Sequence, residues 1–355
     1  MGTPEFAVAN LKGLVEGGYN VVAVVTQPDK PVGRHQEKLQ PTKVKEYALE
    51  HGLPVLQPEK MKDPEFIEKL KSYNADLQVV TAFRILPEMV WDMPKYGTFN
   101  VHASLLPRYR GASPINAAII NGDEETGVTT FFLDHDIDTG KIIHQEKYPI
   151  DANANFEQVY NDLAVLGTKV MLQTVDDIIK YGESIPAMEQ PKVELEEKYL
   201  YAHKINKEDC EIDWRKTAKE IHDFIRGLYD RGTWTTISDG NNEQIMKIWA
   251  AKIGPDTELP AGQFFRDKKH LYVATGKGSV ELTEVQPAGK KRMQGIAFMN
   301  GVRDVEALKT LPNSMVFTPP SFPPFPGDRN PSGGEVSRGL LFNFECHRLL
   351  RQACW

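Results

Sequence analysis

The sequence predicts a doubly wound α/β domain followed by a smaller β-rich domain. Three observations carry this. Strand-like and helix-like segments alternate over residues 1–183, and such alternation builds a mostly parallel sheet with helices on both faces. The composition then shifts over 184–200, "SIPAMEQPKVELEEKYL", which reads as a linker. Over 201–310 one helix is followed by several short strands, the pattern of a small barrel. The 355 residues give room for about two such domains.

The elements follow in order. Residues 4–16 place Phe6, Ala7, Leu11, Leu14 and Val15 at helical spacing. Gly2 permits close backbone approach before this helix, Thr3 reads as its cap, and Pro4 suits its first position. "YNVVAVVTQ" is a buried-type strand, and "TKVKEYALEH" a helix capped by Thr42. "LPVLQP" is a short strand; "DPEFIEKLKSY" is a helix with Asp63 as cap and Pro64 at its first position. "ADLQVVTAF" is a strand and "LPEMVWDM" a short helix. The strand "TFNVHAS" follows, then a helix around "PINAAIING", the strands "GVTTFFL" and "KIIHQEKYPI", and a long amphipathic helix over 155–182. The second domain reads as "INKEDCEIDW", the helix "TAKEIHDFIRGL", and the strands "EQIMKIWAAKI", "AGQFF", "HLYVAT" and "GSVELTEVQP". Residues 311–355 open on a Pro-, Gly- and Ser-rich run that can bury little, so they read as a poorly ordered tail.

No window reaches the roughly 18 apolar residues of a membrane span, and no basic-then-apolar leader opens the chain. Cys210, Cys346 and Cys354 fit no disulfide framework or metal spacing. The expectation is a cytoplasmic protein, a monomer without a membrane partner. The net charge of −7 is uneven: residues 1–190 hold 18 Lys/Arg against 27 Asp/Glu, residues 191–310 hold 20 against 19. A nucleic-acid partner would have to meet local basic patches, because the whole molecule repels phosphate.

Asn100 and His102 stand two apart near a strand end, so they share a face. An amide and an imidazole there can donate to a developing oxyanion, or they can simply be satisfied strand-end polars. "DHDIDTGKII" adds Asp134, Asp136 and Asp138. Asp138, before Thr-Gly, is either a turn residue or a carboxylate aimed at the same site. No His or further oxygen ligand stands at a spacing that would make these three a metal site, so no metal is expected.

"NVHASLLPRYRGASPI", with "DIDTG" some way downstream, resembles the folate-dependent formyltransferases. "MGTPEFAV", "TQPDKPVGR", "PAGKKRM" and "CEIDW…IHDFIRGL" resemble the branch of that family acting on initiator methionyl-tRNA. The resemblance covers roughly residues 1–305. It implies a Rossmann-like formyltransferase domain using 10-formyltetrahydrofolate as co-substrate, and an OB-like barrel that helps hold tRNA. Carried over by motif, Asn100, His102 and Asp138 take the catalytic positions. The loop Ala82, Phe83, Arg84, Ile85, Leu86 and Pro87 takes the folate position, with Leu105 and Pro107 as walls or turn formers; Leu86 can equally be core. The long connection "DKPVGRHQEKLQPTK" would meet the tRNA acceptor end through Lys30, Arg34, Lys38 and Lys43. Lys290, Lys291 and Arg292 form a second basic run; both segments can also be solvated loops. After "FIRGL" the chain reads "YDRGTW" where the family usually has a Pro-rich stretch before a Trp.

Two other functions compete. A sugar-nucleotide formyltransferase shares the Asn-x-His and Asp, but the basic loop and "PAGKKRM" disfavour it. A non-catalytic tRNA-binding protein is disfavoured by the intact Asn100, His102 and Asp138. The family also carries a hydrophobic strand ahead of "GTPEFAV", which this sequence does not show. The expectation is a first helix with no strand of its own and a gap or substitute segment at the sheet centre. The chain as written would then be insoluble or inactive, and about six apolar residues ahead of Met1 would rescue it.

Overall fold

The structure is a computed structural model, and it describes residues 1–32 and 38–311. Arg34 and the Lys38 side chain lie outside the described residues, as does the tail from residue 312.

The first domain is built on the strands Val24–Val25, Val55–Leu56, Gln78–Thr81, Thr98–His102, Glu125–Phe132 and Ile142–Pro149. Val24–Val25 pairs with Val55–Leu56, and Gln78–Thr81 with Thr98–His102, both in parallel. The parallel alternation stops there. Glu125–Phe132 runs antiparallel to Thr98–His102 and to Ile142–Pro149. No crossover helix separates the last two strands; the segment 133–141 joins them, and it carries Asp134, Asp136 and Asp138. The long helix Phe156–Tyr181 packs Val159, Leu163, Val170 and Met171 onto the sheet. It starts with a capping box in which Asn155 accepts from Gln158 and Gln158 from Asn155.

The helix Glu5–Glu16 has Pro4 as its N-cap, and no side chain caps it. Thr3 therefore does not do so; its hydroxyl is buried with no partner among the described residues. Pro4 sits one place before the helix rather than at its first residue. Thr42 and Asp63 do cap their helices, accepting from Lys45 and Glu65. Ahead of the first helix, Met1 and Gly2 form the segment at the sheet centre. Gly2 donates to Val25 at 3.0 Å, Thr81 donates to the Met1 carbonyl at 2.9 Å, and the Met1 amine donates to Val79 at 2.6 Å. Two residues thus bridge the Val24–Val25 pair and the four-stranded sheet. A Cβ on Gly2 would lie 2.4 Å from that of Ala7 and 2.8 Å from the Thr81 carbonyl, so only glycine fits. Burial lowers the Met1 amine to about 5, so it is uncharged at neutral pH.

The second domain is an antiparallel sheet in the order Phe264–Arg266, Leu271–Ala274, Ser279–Pro287, Glu243–Ile253, Thr233–Ser238, Lys309–Thr310. Gln263 bridges back to Lys309, which brings the two edges together as a barrel. Thr233–Ser238 is a strand the sequence reading passes over. Trp214, Ile225, Ile248, Phe264, Val273 and Leu282 fill the interior. The helix Ala218–Gly227 opens on a capping box between Thr217 and Glu220 and packs against Pro114–Ile120 of the first domain. Gly227 allows the close approach, since a Cβ there would meet Ile120 at 2.7 Å. Among the described residues no helix is long and apolar enough to cross a membrane.

Candidate active site

Strand alternation turns Asn100 and His102 to one face while Phe99 and Val101 enter the core. His102 is 6% exposed. Its Nε2 lies 2.8 Å from the Tyr109 carbonyl. A carbonyl only accepts, so Nε2 carries the hydrogen and Nδ1 is the atom left for chemistry. Nδ1 faces the Asp138 Oδ2 at 3.8 Å, longer than a hydrogen bond and within reach of one bridging water.

Asp138 is held at its carboxylate and at its carbonyl. Its Oδ2 accepts from the Gly111 N–H at 2.8 Å. Its carbonyl and that of Gly140 accept from Gln190 Nε2 at 2.8 and 3.0 Å. Gln190 is held in turn by Arg110, whose Nη2 donates to it at 2.8 Å. The segment 184–202, read from sequence as linker and the start of the next domain, is thus stitched to the site. Met188 pairs with Ile142, and Tyr201–Ala202 with Arg110–Gly111. Of the four non-glycine residues with positive φ among the described residues, three stand here: Ala82 (+45°), Tyr109 (+58°) and Asp138 (+57°). Such conformations persist where surrounding contacts over-determine them, and they concentrate at functional sites.

Asn100 has a different character. Its Oδ1 is buried and meets no hydrogen-bond partner among the described residues. An unpaired buried amide typically costs about 1–3 kcal/mol. That cost marks a group kept for something the free protein does not supply.

These side chains open into one cleft of about 810 Å³. Ala82, Phe83, Arg84, Ile85 and Leu86 line it, as do Trp91, Asn116, Asp230 and Arg231. Leu86 serves both roles considered for it, being buried in a core cluster and part of the wall. Three residues assigned to the folate position do not line the cleft. Pro87 is the N-cap of the Glu88–Trp91 helix, Leu105 packs its side chain over Gly127, and Pro107 is buried in the turn beyond. Arg84 is a wall with a spent charge: its guanidinium donates to the carbonyls of Pro58 and Glu59. Asp134 is likewise used by its own loop, accepting from Thr139 at 2.8 Å and from the Asp136 N–H.

Asn116, Asp230 and Arg231 are the site residues that sequence reasoning missed. "YDRGTW", a departure from the family pattern, is a trace of Asp230 and Arg231, while Asn116 lies in "PINAAIING", which reads only as a helix. Asn116 Nδ2 donates to the Gly227 carbonyl at 2.8 Å and to Asp230 Oδ1 at 3.2 Å. Burial raises the Asp230 carboxyl above its ordinary value, against the opposing pull of Arg231 and Asn116.

The basic residues are more scattered. Lys30 is exposed on the short Lys30–Val32 strand, and Lys43, at a helix start, pairs with Glu46 at 2.9 Å. Lys290 and Lys291 are exposed. Arg292 is not a free cation: its guanidinium stacks 3.6 Å from the centre of the Trp249 ring and pairs with Glu284 at 3.7 Å.

Residues 1–175 match the formyl transferase family, and residues 204–303 match the formyl transferase C-terminal domain. A methionyl-tRNA formyltransferase of Parabacteroides distasonis is 51% identical over 310 residues, covering 86% of this chain and 95% of its own. That of Bacteroides thetaiotaomicron is 50% identical over 307 residues, covering 85% and 94%. Among solved structures, an N-formyltransferase of Helicobacter canadensis shares the fold. It has a TM-score of 0.56 at 21% identity, over 79% of this chain and 97% of that one. A sugar 3N-formyl transferase gives the same TM-score and identity over 82% and 97%. With both halves matched and half of all aligned positions identical across nearly the whole length of such relatives, the chain belongs to the methionyl-tRNA formyltransferase family.

Proposed function

We propose that the cleft transfers the formyl group of 10-formyltetrahydrofolate to the α-amino group of initiator methionyl-tRNA, with Asn100, His102 and Asp138 as its catalytic side chains. The observation that carries this is the Asn100 side chain, its buried Oδ1 without a partner among the described residues, beside an imidazole whose Nδ1 is turned to a carboxylate. The methionyl amine attacks the formyl carbon, a C–N bond forms, and the carbonyl electrons move onto oxygen. The Asn100 Nδ2 donates to that oxyanion, and so does His102 through Nδ1 when protonated. The attacking nitrogen becomes cationic and loses its proton to Asp138, directly or through one water. Collapse expels N10 of tetrahydrofolate, which takes a proton back. No step calls for a metal.

The segment 82–86, with Phe83 and Trp91, provides an apolar wall for a pterin. Residues 1–183 then carry the transfer chemistry and 201–310 the tRNA, joined by 184–200, in a monomeric cytoplasmic enzyme that needs no membrane. Lys30, Arg34, Lys38 and Lys43, with Lys290 and Lys291, contact phosphates, and Arg292 reinforces the Trp249 face of the barrel. The test supplies 10-formyltetrahydrofolate with methionyl-tRNA or with an amino-sugar nucleotide. Formylmethionyl-tRNA is the expected product. Formylation of the sugar alone, or of neither, overturns the reading.

Gly111→Ala probes the Asp138 anchor. At φ +111° an L side chain is strained, and a Cβ would lie 2.8 Å from the Ala202 carbonyl. The backbone must move, taking the N–H from Asp138. A loss of about 1–3 kcal/mol in stability is expected, together with a fall in kcat larger than any rise in the KM for folate. An unchanged kcat in a destabilised protein would show that the anchor does not position Asp138.

A further inference from the structure

The charged residues that line the cleft are mostly acidic. Glu88, Asp134, Asp136, Asp138 and Asp230 line it, and among the described residues the only lysine or arginine side chains in its lining are Arg84 and Arg231. Arg84 is bound to two carbonyls of its own domain. An acceptor whose reactive end hangs from a phosphodiester chain meets repulsion here unless one cation answers it. Arg231 is that cation. It stands between the helix Ala218–Gly227 and the strand Thr233–Ser238, so the second domain delivers it to the catalytic cleft.

Its geometry is prepared. Nη1 donates to the Ile205 carbonyl at 3.1 Å, and Nε pairs with Asp230 Oδ2 at 3.3 Å. Nη2 meets no partner among the described residues, and the side chain is 38% exposed. The other carboxylate oxygen of Asp230 is held by Asn116, which is 3% exposed and belongs to the first domain. A chain of contacts, Asn116 to Asp230 to Arg231, therefore sets the guanidinium in register with the catalytic side chains. We infer that Arg231 binds the phosphate of the acceptor's 3′-terminal nucleotide, and that Asp230 and Asn116 position it. A guanidinium already held at Nε and Nη1 loses little freedom when its free Nη2 meets a phosphate oxygen. This inference rests on the acceptor proposed above.

The experiment uses the full chain as wild type, Arg231→Ala, Arg231→Lys and Asp230→Asn. Two acceptors are compared: methionyl-tRNA, and 3′-O-methionyladenosine, which has the terminal nucleoside and no phosphate. In Arg231→Ala the ratio of kcat/KM for methionyl-tRNA over methionyladenosine falls about tenfold or more. The change lies in the KM for tRNA, and the KM for the folate stays put. The slope of log affinity for tRNA against log salt flattens by about 0.7–0.9, the value of one phosphate. Arg231→Lys restores the slope and only part of the ratio, since an ammonium keeps the charge without the planar edge. Asp230→Asn lowers the ratio by a smaller factor with the salt slope and melting temperature unmoved, as expected of a positioning residue. An unchanged ratio and slope in Arg231→Ala overturns the inference, as does an effect confined to the folate KM, which would put a folate carboxylate at Arg231. If the wild-type protein formylates neither acceptor, the proposed function falls first and the phosphate contact with it.

Discussion

Asn100→Ala lowers kcat by about 10²–10³-fold, the range found when a single oxyanion donor is removed, while the melting temperature holds or rises. The two halves of this result have one cause. In the free protein the Asn100 amide is unmatched: Oδ1 is buried without a partner among the described residues. Removing a buried polar group that bonds to nothing relieves desolvation, so stability has little to lose. In the transition state the same amide donates to an oxygen that has just gained charge, so the barrier rises by about 3–4 kcal/mol. Asn100→Asp is worse than alanine for turnover, because an acceptor-only carboxylate would face the developing oxyanion. The measurement is single-turnover formylation with saturating 10-formyltetrahydrofolate, beside thermal melts. A variant that loses stability while keeping kcat would make Asn100 an ordinary strand-end polar.

What could be read beforehand was local. Period-two alternation places Asn100 and His102 on one face, because it depends only on neighbours in sequence, whereas Asp138 joins them only through the family resemblance. The missing parts are long-range. Gln190 lies 52 residues from the carbonyl it holds, and Asn116 lies 114 residues from Asp230. No periodicity encodes such pairs. The direction of the last strands of the sheet was not legible for a related reason. Hydrophobic pattern identifies Glu125–Phe132 and Ile142–Pro149 as strands but is blind to direction, and only the joining segment 133–141 makes them a hairpin. Leu105 and Pro107 read as walls of the folate position or as turn formers. The backbone turns there, so their side chains leave the cleft that His102 enters.

The largest expected loss of stability comes from Asp223→Ala, in the helix that joins the two domains. Asp223 and Arg226 have side-chain exposures of 5% and 7% and meet at 2.8 Å. Arg226 Nη1 also donates to the Ala154 carbonyl at 2.9 Å, so the pair ties the barrel's helix to the start of the long helix of the first domain. Removing the carboxylate leaves a guanidinium buried against carbonyls alone. Breaking one half of such a pair costs about 3–5 kcal/mol, a large share of the roughly 5–15 kcal/mol that holds a domain together. Asp223→Ala with Arg226→Met removes both charges and recovers much of the loss, because the desolvation cost disappears along with the attraction. The pH dependence follows. Burial alone would raise the Asp223 carboxyl, but His222, Lys219 and Arg226 together pull it down to about 2. Its contribution is present above the ordinary carboxylate range and is lost as pH falls from about 4 toward 2. Wild-type and Asp223→Ala stabilities therefore converge as the pH drops, which denaturant titrations at pH 7 and pH 3 read directly. A double variant less stable than Asp223→Ala, or a gap between wild type and variant that widens in acid, would show that the pair does not hold the domains together in this way.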